Sequence, residues 1–216
     1  MVKWLMSLLF MFSSGTALAQ GADVGLVNMV SGDVSFAPLS GAPGKVRAFM
    51  KVRDGDRINV PAGGQVRVVF FAGARQERWA GPASFKAGKM GAEPISGRPA
   101  EVANLPATAP QRLERVPELM QHAKLGGIQV RGGITQAQRA SLEQQAAVSE
   151  ARVTYDRLRR EMPADDITPE LFLYAALYEY LLYDDMKTVA DEMLRKQPND
   201  DDVKALAAWV RSRAVR

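Results

Sequence analysis

Cysteine is absent from this 216-residue chain, and histidine occurs once, at His122. The first absence excludes disulfides, a thiolate metal site, a cysteine nucleophile and a lipid-bearing cysteine behind a signal peptide. The second excludes a multi-histidine metal centre and removes most routes to acid–base chemistry near neutral pH. Long apolar runs are also missing. A spanning helix needs about 20 apolar residues. The run at residues 4–12 is broken by Ser13, Ser14 and Gly15, and residues 171–183, the next candidate, contain Glu179. With 47% hydrophobic and 24% charged residues, the composition is that of a folded chain rather than a disordered one. The length suits one domain or two small ones.

The first 19 residues have the layout of a secretory signal peptide: Lys3, an apolar stretch, then Ala17-Leu18-Ala19 as a small-x-small cleavage pattern before Gln20. An uncleaved anchor is the competing reading. The expectation is a soluble, exported protein, periplasmic or secreted, that is not a lipoprotein and has no stable membrane span after cleavage.

Past the signal, the periodicity divides the chain. Residues 20–95 alternate in short Val- and Phe-rich runs broken by Ser31-Gly32-Asp33, Asp54-Gly55-Asp56, Ala62-Gly63-Gly64, Gly73-Ala74 and Gly81-Pro82, the pattern of strands joined by turns. Strands are expected near residues 24–30, 34–36, 46–52, 65–71 and 75–79. Pro94, Pro99, Pro106 and Pro110, within residues 91–111, mark a linker or a segment along the surface, and a Pro- and Gly-rich connector with a short helix is expected over residues 96–134. Residues 135–216 read as helices. Thr135 and Gln138 form a capping-box pattern, followed by a stripe of Ala137, Ala140, Val148, Ala151, Tyr155, Leu158 and Met162. Thr168-Pro169-Glu170 starts a helix over the apolar residues 171–183, which should be central and buried. Asp184-Asp185 opens another helix, stopped by Pro198, and residues 199–202 cap a last one. The expected fold class is α+β as separate domains: a small all-β domain, sandwich-like or solenoid-like, followed by an α-helical hairpin bundle.

Four segments in order carry a resemblance: Val30-Ser31-Gly32-Asp33-Val34, Val52-Arg53-Asp54-Gly55-Asp56-Arg57-Ile58, Gly64-Gln65-Val66-Arg67-Val68-Val69-Phe70 and Gly81-Pro82-Ala83-Ser84-Phe85. Over residues 24–87 they resemble the FecR-type domain, named for the ferric citrate regulator of Gram-negative bacteria. The resemblance implies a periplasmic role, because that family couples an outer-membrane siderophore receptor to a cytoplasmic sigma factor. Here a signal peptide stands where such regulators have a cytoplasmic segment and a membrane helix, so direct sigma-factor binding is not expected. Residues 168–213 resemble a degenerate tetratricopeptide-type unit in which Met186 and Met193 replace the small residues of close helix crossings.

The candidate sites are few. The acid clusters Asp165-Asp166, Asp184-Asp185 and Asp200-Asp201-Asp202 lack the alternation and glycine of a calcium loop, and they fall where helix starts favour acids, facing water. His122 reads as a structural or solvated histidine. Gly126-Gly127 and Gly132-Gly133 lack phosphate-loop spacing. Most of Phe172, Tyr174, Tyr178, Tyr180 and Tyr183 should be core. The β half is the basic half: residues 20–109 hold 11 Lys and Arg against 7 Asp and Glu, while residues 110–216 hold 16 against 17. Arg67, Arg75 and Arg78, with Trp79 beside them, form the candidate partner-binding face, set against the simpler reading of a solvated strand side. Charge reversal at the three arginines is expected to abolish partner capture.

No catalytic, cofactor-binding or metal-binding residue is expected. The functional expectation is a non-enzymatic interaction module, a scaffold or sensor subunit of an envelope-associated signalling assembly with envelope protein partners and neither nucleic acid nor a small-molecule substrate. The alternative is a cell-wall-active hydrolase or ligand-binding protein using paired carboxylates. N-terminal sequencing of the exported protein should begin at Gln20; an intact Met1 on exported material contradicts the cleavage site.

Overall fold

The computed structural model describes residues 21–125 and 142–214. Ten strands come first: β1 (Asp23–Ser31), β2 (Ser35–Ala37), β3 (Gly44–Lys45), β4 (Lys51–Arg53), β5 (Arg57–Val60), β6 (Gln65–Phe70), β7 (Arg75–Ala80), β8 (Ala83–Ala87), β9 (Ala92–Ser96) and β10 (Glu101–Asn104). The helices are α1 (Ala109–Leu113), α2 (Val116–Lys124), α3 (Leu142–Glu161), α4 (Thr168–Tyr178), α5 (Tyr183–Lys196) and α6 (Asp201–Arg211). The stretch expected to be a signal peptide, the Thr135–Gln138 capping pattern and the two Gly-Gly pairs lie outside the described residues.

The strands form two antiparallel five-stranded sheets, one ordered β10-β7-β6-β1-β4 and the other β3-β2-β5-β8-β9. We call them the helix-side sheet and the outer sheet. Strand alternation produces the sandwich. Val66, Val68 and Phe70 of β6 face inward with Trp79, Ile58, Val60 and Phe85, forming one buried cluster. Trp79 stacks on Phe85 across the two sheets, ring centroids 4.5 Å apart. The Ser31-Gly32-Asp33 turn moves the chain from one sheet to the other, since β1 and β2 belong to different sheets.

The opposite face of the helix-side sheet supplies Leu26 and Val69 to a second cluster, which takes buried residues from all six helices. The molecule is therefore α+β in three layers: outer sheet, helix-side sheet, helices. The two halves expected as separate domains share this core. Phe49 joins it from the loop between β3 and β4; its φ of 59° is unusual for a side-chain-bearing residue. Its N–H donates to the Val27 carbonyl at 2.7 Å, and the buried ring offsets the backbone cost.

Two local expectations change. The strand expected at 46–52 is present only as β4, because Phe49 turns the chain out of extended geometry. The connector of 96–134 contributes β10 to the helix-side sheet, with Glu101 opposite Arg78, before α1 and α2 begin. Pro94 sits in β9, an edge strand where its missing N–H costs no ladder bond.

Among the helices, α4 is buried on nearly every side between its neighbours, as its apolar sequence requires, but it ends at Tyr178 rather than Tyr183. Leu181, at φ 55°, turns the chain into α5. Asp200 caps α6, its carboxylate accepting the N–H groups of Asp202 and Val203 at 2.8 and 3.0 Å.

A shared core predicts shared unfolding. Trp79 lies in the sandwich and Trp209 among the helices, and they are the only tryptophans past Trp4. In each single-tryptophan variant (Trp79→Phe or Trp209→Phe), the urea midpoint read by the remaining tryptophan should coincide with that read by far-ultraviolet circular dichroism on the same protein; separated midpoints within one variant would mean that the layers unfold independently.

Candidate functional site

Strand parity decides where the candidate basic residues go. Residues directly opposite in an antiparallel pair share a face, and β6 pairs with β7 so that Arg67 faces Arg78 and Phe70 faces Arg75. Arg67 and Arg78 are thus on the helix-side face, while Arg75 and Trp79 are on the sandwich face. Trp79 is fully buried and donates its indole N–H to Glu77 at 2.9 Å. Arg75 is half-buried and pairs with the same carboxylate at 2.9 Å. Glu77 also accepts the Ala92 N–H at 3.1 Å, and a Cβ on neighbouring Gly91 would sit 2.8 Å from it, so this turn needs glycine. Arg78 pairs with Glu101 at 3.1 Å. The four residues do not make one exposed basic face: alternation splits them, and two of them are in the core.

Arg67 is the informative one. It is 2% exposed, in the layer between sheet and helices, and its guanidinium lies 3.5 Å from Asp166 and 3.6 Å from Asp165. A buried arginine needs a counter-charge. Asp166, fully buried, provides it and also accepts from Gln76 Nε2 at 2.5 Å, from the Thr168 hydroxyl at 2.7 Å and from the Thr168 N–H at 2.8 Å. Asn28 completes the cluster by donating to Gln76 Oε1 at 2.8 Å and to the Thr168 hydroxyl. Asn28, two residues after Leu26, is on the helix side by strand alternation, and a shift in register between Val27 and Met29 makes it the extra residue of a bulge opposite Arg67. Thr168, at the start of α4, gives no side-chain cap to that helix: its hydroxyl bonds within this cluster, and Asp166 accepts its N–H.

A second buried cluster holds the loop that carries Asp166. Arg159 donates to the carbonyls of Asp166, at 2.6 Å, and of Met162 and Pro163. The same guanidinium reaches Glu170 at 3.0 Å, and Lys196 reaches Glu170 at 2.8 Å. Tyr155 donates to Glu170 at 3.2 Å. Its hydroxyl is pushed up to about 12 by burial and by the adjacent carboxylate.

Of the acid clusters, Asp165, Asp184 and Asp201 are exposed and Asp200 caps a helix, as expected, whereas Asp166 is turned inward. The buried Asp166 faces a base, not a second acid. His122 is exposed on α2, 3.3 Å from the Tyr178 hydroxyl. Tyr174 is wholly buried and its hydroxyl is driven upward, first by burial. Tyr178 and Tyr183 pack around Trp209 with ring centroids 5.9 and 6.0 Å away. The sequence reading missed Asn28, Gln76 and Glu170; the only available signal was a polar side chain at an inward-pointing position of an otherwise apolar element.

An open cleft of about 580 Å³ lies between the β3–β4 loop and α2, with Phe49 and Met120 in its lining and Arg47, Lys51, Lys124 and Asp202 among its charged groups. Lys124 and Asp202 pair across it at 2.5 Å. Among the described residues, no group of three or more histidine, aspartate or glutamate side chains is placed to hold a metal ion, and no helix is long and apolar enough to cross a membrane.

What the geometry defines is an α+β protein whose buried charges tie layers together. In comparison with known proteins, the chain matches no family model, no curated protein and no solved structure.

Removing one partner of a buried pair leaves an uncompensated charge. Asp166→Ala should lower stability by about 3–5 kcal/mol in urea unfolding, and adding Arg67→Met should recover part of the loss. For the same reason, reversal at Arg67, or at Arg75 beside the buried Glu77, tests folding rather than partner capture, which leaves Arg78 for the surface experiment.

Proposed function

We propose that this chain is a non-enzymatic, exported protein–protein interaction module that acts in the periplasm as a scaffold or sensor subunit of an envelope-associated signalling assembly. In this reading the sandwich is a FecR-type domain, and α4 to α6 are a tetratricopeptide-like helical unit packed against it. The observation that carries the proposal is the use made of the buried carboxylates. Glu77, Asp166 and Glu170 are each held by arginine, lysine, amide, hydroxyl or indole donors, so their charge fixes the architecture. A paired-carboxylate hydrolase needs two acids converging on one cleft. Asp165 instead lies exposed beside Arg67, and Asp185 pairs with Arg152 at 2.9 Å.

Two further features support the reading. The turn motifs that resemble the FecR-type domain join strands of the sandwich, including the crossing between sheets. The helices cover one face of the helix-side sheet, which leaves the outer sheet and the strand edges as the surfaces offered to partners. Arg57, Asn59, Ser84 and Lys86 form part of that outer face.

The test is fractionation with in-cell crosslinking. A tagged chain in a Gram-negative host should leave with the osmotic-shock fluid, and a photoreactive residue at an exposed β position should join it to an envelope protein. Retention in the cytoplasm, or turnover of cell-wall fragments by the purified protein, would overturn the proposal.

A further inference from the structure

The two sheets end in four edge strands, and three of them are protected against further pairing. β9 carries Pro94 and a register shift beside Ser84 and Phe85. β3 is two residues long and follows Pro43. β4 is three residues long and bears Lys51 and Arg53, both held by Asp23 of β1. β10, set between Pro99 and Pro106 and with its one charged residue, Glu101, held by Arg78 of β7, is the longest edge strand without an internal proline or a register shift. It runs against β7 for four residues in unbroken register.

Its free edge can be assigned from the ladder. The Leu105 N–H donates to the Ala74 carbonyl at 2.7 Å. Antiparallel alternation then directs the backbone N–H and C=O of Val102 and Asn104 away from β7. Both residues are exposed, among the described residues, with Val102 at 47%. Val102 lies opposite Glu77, on the face turned toward the sandwich. The edge of the other sheet leaves it uncovered, and Ile95 of β9 is itself 57% exposed. Arg98, exposed and in no ion pair among the described residues, precedes β10, and Arg78 keeps a partly exposed guanidinium beside it.

We propose that β10 is a strand-addition site that takes an extended segment of a partner protein, with apolar side chains alternating over Val102 and Ile95 and an acidic residue meeting Arg98. This rests on the interaction-module reading and names the surface and the partner chemistry. A second copy of this chain is the weaker occupant. A four-residue edge on each side falls far short of the roughly 1,600 Å² that a stable pair buries, whereas a flexible segment can wrap onto the flanking cations and apolar groups as well.

The probe is a displayed library of short random peptides selected against the full mature chain. Enriched sequences should alternate apolar residues and carry Asp or Glu. Val102→Pro removes one outward N–H and leaves the β7 ladder intact; it should weaken these peptides about tenfold or more, with the melting temperature unchanged. Arg98→Glu should weaken the acidic peptides by several-fold. If Val102→Pro fails to fold, hydrogen exchange on the unmodified protein decides: bound peptide must slow the Val102 and Asn104 amides. Enriched peptides without alternation, binding indifferent to Val102→Pro, unchanged exchange at those amides, or self-association that Val102→Pro removes would each overturn the site. Peptide binding at β10 by a chain retained in the cytoplasm would sink the export reading alone; an exported chain crosslinked elsewhere would sink the β10 site alone.

Discussion

Asp166 sits at the point where the sheet layer meets the helix layer, and the placement of both layers depends on its charge. Arg67 projects from the middle of a strand whose neighbours are all buried, so its guanidinium enters the core whenever helices cover that face. An unpaired cation there would cost several kcal/mol. The fold answers with a carboxylate delivered from the loop before α4, and that loop is held in shape by Arg159, whose guanidinium gathers three backbone carbonyls. Arg159 in turn is fixed by Glu170, which Lys196 of α5 also grips. Opposite charges therefore alternate from the sheet through the loop and α4 to α5. The start of α4, the docking of α3 and α5, and the register of the helix layer on the sheet all follow from this chain of pairs.

The apolar contacts around the polar centre supply most of the burial but little of the specificity. Leu26 and Val69 would accept many apolar partners. The Asn28–Gln76–Thr168–Asp166 network accepts one arrangement, because each donor must find its acceptor in a dry environment.

Much of the architecture follows from local pattern. The turn residues and the alternating valines mark β6 and β7 nearly to the residue, and proline and acid placement mark the starts of α4, α5 and α6. These signals are local because they depend on φ, on missing donors and on the helix dipole. The candidate basic face was misread for the opposite reason. Arg75 and Arg78 are three apart in a strand, so they point to opposite faces. Whether either face meets water depends on what covers it. Nothing local says that a helix layer will cover Arg67, or that Trp79 will find Phe85 in the other sheet. The proline-rich connector misled in a similar way: β10 becomes a strand only because β7 offers it an edge.

The chain's order of residues by itself determined the division into a strand-rich and a helix-rich half, the turns, the helix boundaries set by proline and aspartate, and the absence of thiol or multi-histidine chemistry. Each of these is a property of a few consecutive residues or of composition. Only the tertiary structure decided that both halves share one core, that Arg67 is a buried cation rather than a surface one, that Asp166 faces a base and that β10 is left as the open edge. Those outcomes depend on burial, and burial is set by residues distant in sequence that desolvate one another.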